Sequence, residues 1–261
     1  MDNILELKDI SFGYQNSLVI DNVSFKVKRG EFIGLIGPNG AGKSTLFKTL
    51  LGILKPNSGE VLYGGKTIES LGFKERAKKM AFLPQIFELK FSYTVEDFIA
   101  MGRFPYQDGL SVYSNEDLKL VEEVIQRFLL TEIRKRRIDE LSGGELQRVL
   151  FAQSIAQNPE VLLLDEPTTH LDIGHQFEIM NILSRLNKEG LTVIAILHDL
   201  NISAEFCDRI ILMNKGIVVR DGEPSSVMDY NVIEDVYKAK VVIKKNPYSG
   251  KPFLILYRDK A

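Results

Sequence analysis

Gly37-Pro38-Asn39-Gly40-Ala41-Gly42-Lys43-Ser44 matches G-x-x-x-x-G-K-[ST] in full, a spacing suited to holding phosphate. Glycines let the backbone curl until successive N–H groups point inward at phosphate oxygens, and a following helix adds its positive end. Lys43 would then reach the β- and γ-phosphates, and Ser44 would offer its hydroxyl to a magnesium ion. A second chemical group is Val161-Leu162-Leu163-Leu164-Asp165-Glu166-Pro167, an apolar run ending in two carboxylates. Phosphoryl transfer needs a metal ion to neutralise charge and a group that positions or deprotonates water. Asp165 suits the metal and Glu166 the water. His198 follows the apolar run 191–197, where it could contact a γ-phosphate or the attacking water; a lone histidine there would more often be structural.

These residues need elements to hold them. Residues 31–36 read as a short apolar strand into the glycine loop, and residues 43–54 as an amphipathic helix leaving it. Residues 4–14 and 18–27 read as two antiparallel strands joined by a turn at Gln15-Asn16-Ser17. Tyr14 closes the first of them, and its ring fits either ordinary strand packing or stacking on a base. Residues 60–63 and 80–83 are further strands, the latter ending at Pro84-Gln85, where a glutamine alone is a weak signal.

From residue 86 to about 140 the pattern turns helical. Residues 94–101 form one expected helix and residues 114–130 another, with Ser114 and Asp117 at capping-box spacing and Leu118, Val121, Ile125 and Phe128 as an apolar stripe for the core. Arg134-Lys135-Arg136-Arg137 reads as a solvated basic face, with contact to a lipid headgroup or partner as the alternative. Leu141-Ser142-Gly143-Gly144-Glu145 opens a helix with free N–H groups and a positive end that could hold an anion, although standing alone the motif is more often a capped start with no ligand. Further on, residues 191–197 form a core strand, residues 208–213 and 217–220 a hairpin, residues 227–239 one helix, and residues 241–244 and 253–257 two last strands. The hairpin turn Asn214-Lys215-Gly216-Ile217 lacks the Asn-Lys-x-Asp pattern that recognises guanine, which favours adenine.

The whole chain sets bounds on the function. It has 261 residues, 44% hydrophobic and 26% charged, enough for one large α/β domain in two lobes. A net charge of −2 argues against a basic nucleic-acid surface, so no nucleic-acid partner is expected. The single cysteine, Cys207, cannot form an internal disulfide and reads as a small buried residue. The stretch MDNILELKD lacks the basic region and apolar core of a secretion signal, and the longest apolar runs are far short of a membrane span. Any membrane work is expected to go through a partner.

Taken together, GPNGAGKST at 37–45, Gln85, LSGGELQR at 141–148, LLLDEP at 162–167, HLD at 170–172 and His198 resemble the ATP-binding subunits of ATP-binding cassette (ABC) transporters, in that family's order and over essentially the whole chain. The resemblance implies a P-loop NTPase core of mainly parallel sheet with an antiparallel β subdomain and an α-helical subdomain. It divides a single domain, 1–261, into a nucleotide-binding lobe (1–85 and 141–261) and a helical subdomain (86–140). ATP and Mg2+ are the implied cofactors. Gly37, Pro38, Asn39, Gly40, Ala41, Gly42, Lys43, Ser44 and Thr45 would hold the phosphates, Tyr14 would stack on adenine, and Ser44, Gln85 and Asp165 would serve the metal. Glu166, His198 and Gln85 would be catalytic. Ser142, Gly143 and Gly144 would bind the γ-phosphate held by the opposite copy of a homodimer, with Asp172 in the loop crossing the dimer.

The further partners implied are a polytopic membrane permease and, indirectly, an extracytoplasmic binding protein, which place the subunit at the cytoplasmic face of the membrane. GRFPY at 102–106, THLDIGHQ at 169–176 and HDLNISAEF at 198–206 are similar to the ATPases of ferric-siderophore, haem and cobalamin importers, although Tyr106 stands where those often have histidine. Phe104 and Tyr106 beside Arg103 suit either packing within the helical lobe or an interface anchor for the permease. A soluble ABC ATPase acting on DNA or ribosomes would usually carry a coiled-coil insertion or two cassettes, and a small-molecule kinase would lack LSGGE with the Asp-Glu pair.

Overall fold

A computed structural model describes residues 2–15, 17–85, 93–107, 113–169 and 171–258. The chain forms two compact units, Met1–Leu71 with Ser184–Ala261, and Gly72–Leu183.

In the first unit the apolar strand Phe32–Ile36 is buried at every position. It runs parallel to Thr192–Ile196 on one side and to Arg209–Asn214 on the other. Such near-continuous apolar runs mark strands covered on both faces. Arg209–Asn214 turns back antiparallel into Ile217–Gly222 through Lys215 and Gly216, both at positive φ, as a two-residue hairpin loop requires. A separate antiparallel sheet orders Ser17–Lys28, Asn3–Tyr14, Ser58–Tyr63 and Lys66–Thr67. A closing hairpin pairs Val241–Lys245 antiparallel with Pro252–Leu256. This is an α/β fold with a P-loop core.

Several expectations shift. The helix after the glycine loop is Lys43–Leu50, ending short of residue 54, because Gly52 adopts φ 65° and the amides of Gly52 and Ile53 fold back onto the last turn. The expected tail helix 227–239 is two helices, Pro224–Val227 and Tyr230–Tyr237. Met228 and Asp229 leave the helical region between them, and the Asp229 carboxylate caps the second helix through the amides of Asn231 and Val232.

The second unit pairs Met80–Leu83 parallel with Val161–Asp165 and surrounds them with helices. Thr94 caps Val95–Ala100, which tightens into a 3-10 segment, Met101–Tyr106. The helix Asn115–Arg127 starts on the expected Ser114–Asp117 capping box. Its apolar stripe departs from expectation at Leu118, which is 51% exposed. Asp117 takes the buried place instead, because Arg103 is buried opposite it: Arg103 Nε donates to Asp117 Oδ1 at 2.7 Å and Nη1 to the Ala156 carbonyl at 2.9 Å. The guanidinium also stacks 3.7 Å from the Tyr106 ring centroid.

Burial alone would raise the Asp117 carboxyl pKa, yet hydrogen bonds from Ser114 and Arg103 hold it below the ordinary value. Stability from a depressed carboxylate is present above the unfolded pKa and is lost as pH falls through the folded one. Asp117→Asn is therefore expected to cost about 3 kcal/mol near neutral pH by urea denaturation, since it strands a buried arginine. The gap from wild type should narrow as the pH falls below the usual carboxylate range; an equal gap at every pH would contradict the ion-pair account.

The basic run is not a bare solvated face. Arg134 bridges Glu96 and Glu122, each at 2.9 Å, Lys135 bonds Glu96, and Arg136 reaches Glu145 at 3.2 Å. Burial would raise Glu96, but Lys135 and Arg134 hold it low. With its cations held by carboxylates of its own unit, this run has less charge to offer a lipid headgroup.

Candidate nucleotide and catalytic site

The glycine loop lies in the first unit. Gly37, Gly40 and Gly42 have φ of 147°, 78° and 96°, conformations that side chains resist. At Gly37 a Cβ would come within 2.1 Å of the Met213 carbonyl oxygen, and at Gly42 within 2.9 Å of that of Val19, so glycine is required by space as well as by φ. Gly42 is the N-cap of Lys43–Leu50, and no acidic residue sits in that first turn to neutralise the positive end. Lys43 is 6% exposed, and its ammonium donates to the carbonyls of Gly37 at 2.7 Å and Pro38 at 3.0 Å, lying across the loop. Asn39, Gly40 and Ser44 face outward, with Thr45 half-buried and Ala41 packed beneath.

Tyr14 is 51% exposed and is held edge-on by Phe12, ring centroids 5.0 Å apart. Strand packing thus accounts for one edge of the ring and leaves a face for stacking. His198 is exposed just past Thr192–Ile196, at the wall of a cavity of about 430 Å³ lined also by Leu200, Ile233, Tyr237 and Leu254. The next residue, Asp199, caps Leu200–Phe206 through the amides of Asn201 and Ile202. Sequence reasoning passed over Tyr237: burial pushes its hydroxyl pKa up, against the pull of the Gly37 backbone amide.

The second unit carries the carboxylates and the serine-glycine turn. Asp165 ends the fully buried strand Val161–Asp165 and is itself 9% exposed. Glu166 follows at φ 55°, unusual for a side-chain-bearing residue and a place where strain gathers at functional sites. Its Oε2 accepts from the Gln85 amide nitrogen and from Thr169 Oγ1 at 3.3 Å. Gln85, a weak signal in sequence, is thus brought onto the candidate base. With its nitrogen given to Glu166, the Gln85 amide oxygen remains as a hard oxygen donor of the kind magnesium prefers.

Ser142 is the N-cap of Gly143–Ala156 in a full capping box: Glu145 Oε2 accepts from the Ser142 amide and hydroxyl, each at 2.8 Å. These two bonds, backbone first, hold the Glu145 carboxyl below its ordinary pKa, and Arg136 assists. Further down this helix, Gln147 donates to the Pro167 carbonyl at 3.0 Å, tying it to the carboxylate segment. Asp172 accepts from the His175 amide and pairs with His175 Nδ1, both at 2.9 Å, which lowers its pKa by those two bonds in turn. His170 lies outside the described residues.

Residues 20–169 match the ABC transporter family. The iron(3+)-hydroxamate import ATP-binding protein FhuC of Bacillus subtilis (strain 168) is 38% identical over 256 residues, 98% of this chain and 95% of that protein. The ferric enterobactin transport ATP-binding protein FepC of Escherichia coli (strain K12) is 35% identical over 249 residues, 95% of this chain and 92% of that one. Among solved structures, an inward-facing metal-chelate type ABC transporter superposes with a TM-score of 0.87 at 26% identity, covering 99% of both chains. A dimeric ATP-binding cassette in a post-hydrolysis state, bound to ADP and phosphate, superposes with a TM-score of 0.74 at 31% identity, covering 84% of this chain and 98% of that one. The chain belongs to the ABC transporter family. Within it, the chain is an ATP-binding subunit with ATPase activity.

Proposed function

We propose that this subunit, as a homodimer, hydrolyses ATP to drive a membrane permease that imports an iron chelate of the ferric-siderophore class. The observation that carries the catalytic part is the Glu166 carboxylate, set at the end of a buried strand and oriented by Gln85 and Thr169. In this reading the amides from Gly37 to Thr45 and the Lys43 ammonium hold the phosphates, and Tyr14 stacks on adenine. Glu166 takes the proton from the attacking water, Gln85 keeps that carboxylate aimed, and His198 contacts the γ-phosphate. Ser142, Gly143 and Gly144 address the nucleotide of the other copy, for which the Ser142 hydroxyl must turn away from Glu145. Asp172 belongs to the crossing loop.

Ser44, Asp165 and Gln85 offer the hydroxyl, carboxylate and amide oxygens that suit Mg2+, an ion that usually takes only one or two carboxylates plus substrate phosphates and would here neutralise phosphate charge.

Import rests on the relatives, whose names carry iron hydroxamate and enterobactin. Among the described residues no helix is long and apolar enough to cross a membrane. In this reading the subunit works with a membrane permease, at its cytoplasmic face, with a substrate-binding protein beyond it. Phe104, 56% exposed on the 3-10 segment fixed by Arg103 and Tyr106, suits an anchor on that permease. A strain lacking the gene is expected to grow poorly under iron limitation and to recover with added free iron. Unchanged accumulation of labelled ferric siderophore, haem and cobalamin would remove the cargo assignment and leave the ATPase standing; a defect in haem or cobalamin alone would reassign it.

A further inference from the structure

Gly144 is half-buried beneath the ring of His175. A Cβ built on Gly144 would lie 2.6 Å from His175 Cδ2 and 2.7 Å from Nε2, so the imidazole rests directly on the glycine backbone. The ring is not loose. Its Nδ1 pairs with Asp172 Oδ2, while the His175 amide donates to Asp172 Oδ1, so the carboxylate holds both the side chain and the backbone at the start of the helix Ile173–Lys188. Three residues later in the same helix, Glu178 faces Arg148 of the Gly143–Ala156 helix at 3.5 Å, and Gln176 donates to the carbonyls of Thr168 and Leu171. The Asp172 segment and the serine-glycine turn are therefore joined side by side, with one imidazole at the join.

From this juxtaposition we infer that His175 is a positioning residue, which transmits the placement of Asp172 to the amides of Gly143 and Gly144 and so sets the turn that receives a γ-phosphate. The inference rests on the assignment of that turn to the other copy's nucleotide. Its physical logic is steric. An amide donor loses its bond steeply when misaimed, and a ring in contact with Gly144 limits how far the first turn of the helix can tilt. Glycine at 144 then has a second reason beyond its N–H: no larger residue leaves room for the imidazole.

The test is a double-mutant cycle on ATP hydrolysis. His175→Ala and His175→Asn both remove the ring from Gly144, the asparagine keeping an N–H for Asp172, so either folded variant suffices. Each is expected to lower kcat/KM about tenfold while the affinity of dilute protein for a fluorescent ATP analogue stays at the wild-type value. Gly144→Ala keeps every N–H and is a good helix residue, and the part of its cost that comes from the methyl meeting the ring is relieved once the ring is gone. It should lower kcat/KM more in the wild-type background than in the His175→Ala background. Wild-type kcat/KM in a folded His175 variant, or a Gly144→Ala cost that is the same in both backgrounds, would overturn the inference. A Ser142→Arg protein assayed in parallel separates the two levels. If it stays active, the assignment of the turn is at fault; if it is inactive and the His175 variants are not, only the role of His175 is.

Discussion

Glu166→Gln protein is expected to bind ATP normally, hydrolyse it ~10²- to 10⁴-fold more slowly, and accumulate as ATP-dependent dimers on a sizing column. The carboxamide is nearly isosteric with the carboxylate and can still meet Gln85 and Thr169, which hold Glu166 Oε2. What it lacks is the negative charge that accepts a proton from water. The change therefore removes a base and leaves the walls of the site in place, so closure on nucleotide survives the loss of turnover. Near wild-type turnover would take the base role from Glu166 and pass attention to His198.

A comparable loss, at least ~10²-fold in hydrolysis, is expected for Ser142→Arg, for a different reason. The substitution places a bulky cation where the serine hydroxyl and the first amides of Gly143–Ala156 present donors. It also forfeits a capping box at roughly 1 kcal/mol, too little to unfold a domain. Because this turn and the Lys43 loop belong to different parts of the chain, dilute Ser142→Arg protein should bind ATP as tightly as wild type. Lys43→Ala should behave oppositely and lose affinity along with rate, since it removes the charge lying across the phosphate loop. Activity in pure Ser142→Arg protein would refute the arrangement in which one copy's serine serves the other's nucleotide.

Much of this site could be read from residue types because local geometry demanded them. Only glycine fits at positions 37 and 42, where φ is positive and carbonyl oxygens crowd the missing Cβ, so the loop announced itself. The capping boxes at Ser114 and Ser142 were equally legible, since both partners lie within one turn. Contacts made across the fold were not. Gln85 and Glu166 stand 81 residues apart, and nothing in either type reveals that they meet. Periodicity put Leu118 in the core because it counts apolar residues, whereas a buried arginine partner carried Asp117 inward. The left-handed Glu166 carries no compositional mark at all, since the fold imposes it. His175 was the one residue with an unused signal: an aspartate three positions before a histidine at a helix start is the spacing of a local side-chain cap.

In the proposed arrangement hydrolysis takes place between two copies of this chain, each lending its serine-glycine turn to the other's phosphate loop. The most direct measurement is specific ATPase activity of the purified subunit as a function of its own concentration at saturating ATP-Mg2+. Activity per molecule is expected to rise with concentration as monomers find partners and then to reach a plateau, while Ser142→Arg protein stays flat and inactive throughout. Full specific activity persisting at dilutions where the protein sizes as a monomer with ATP bound would contradict it.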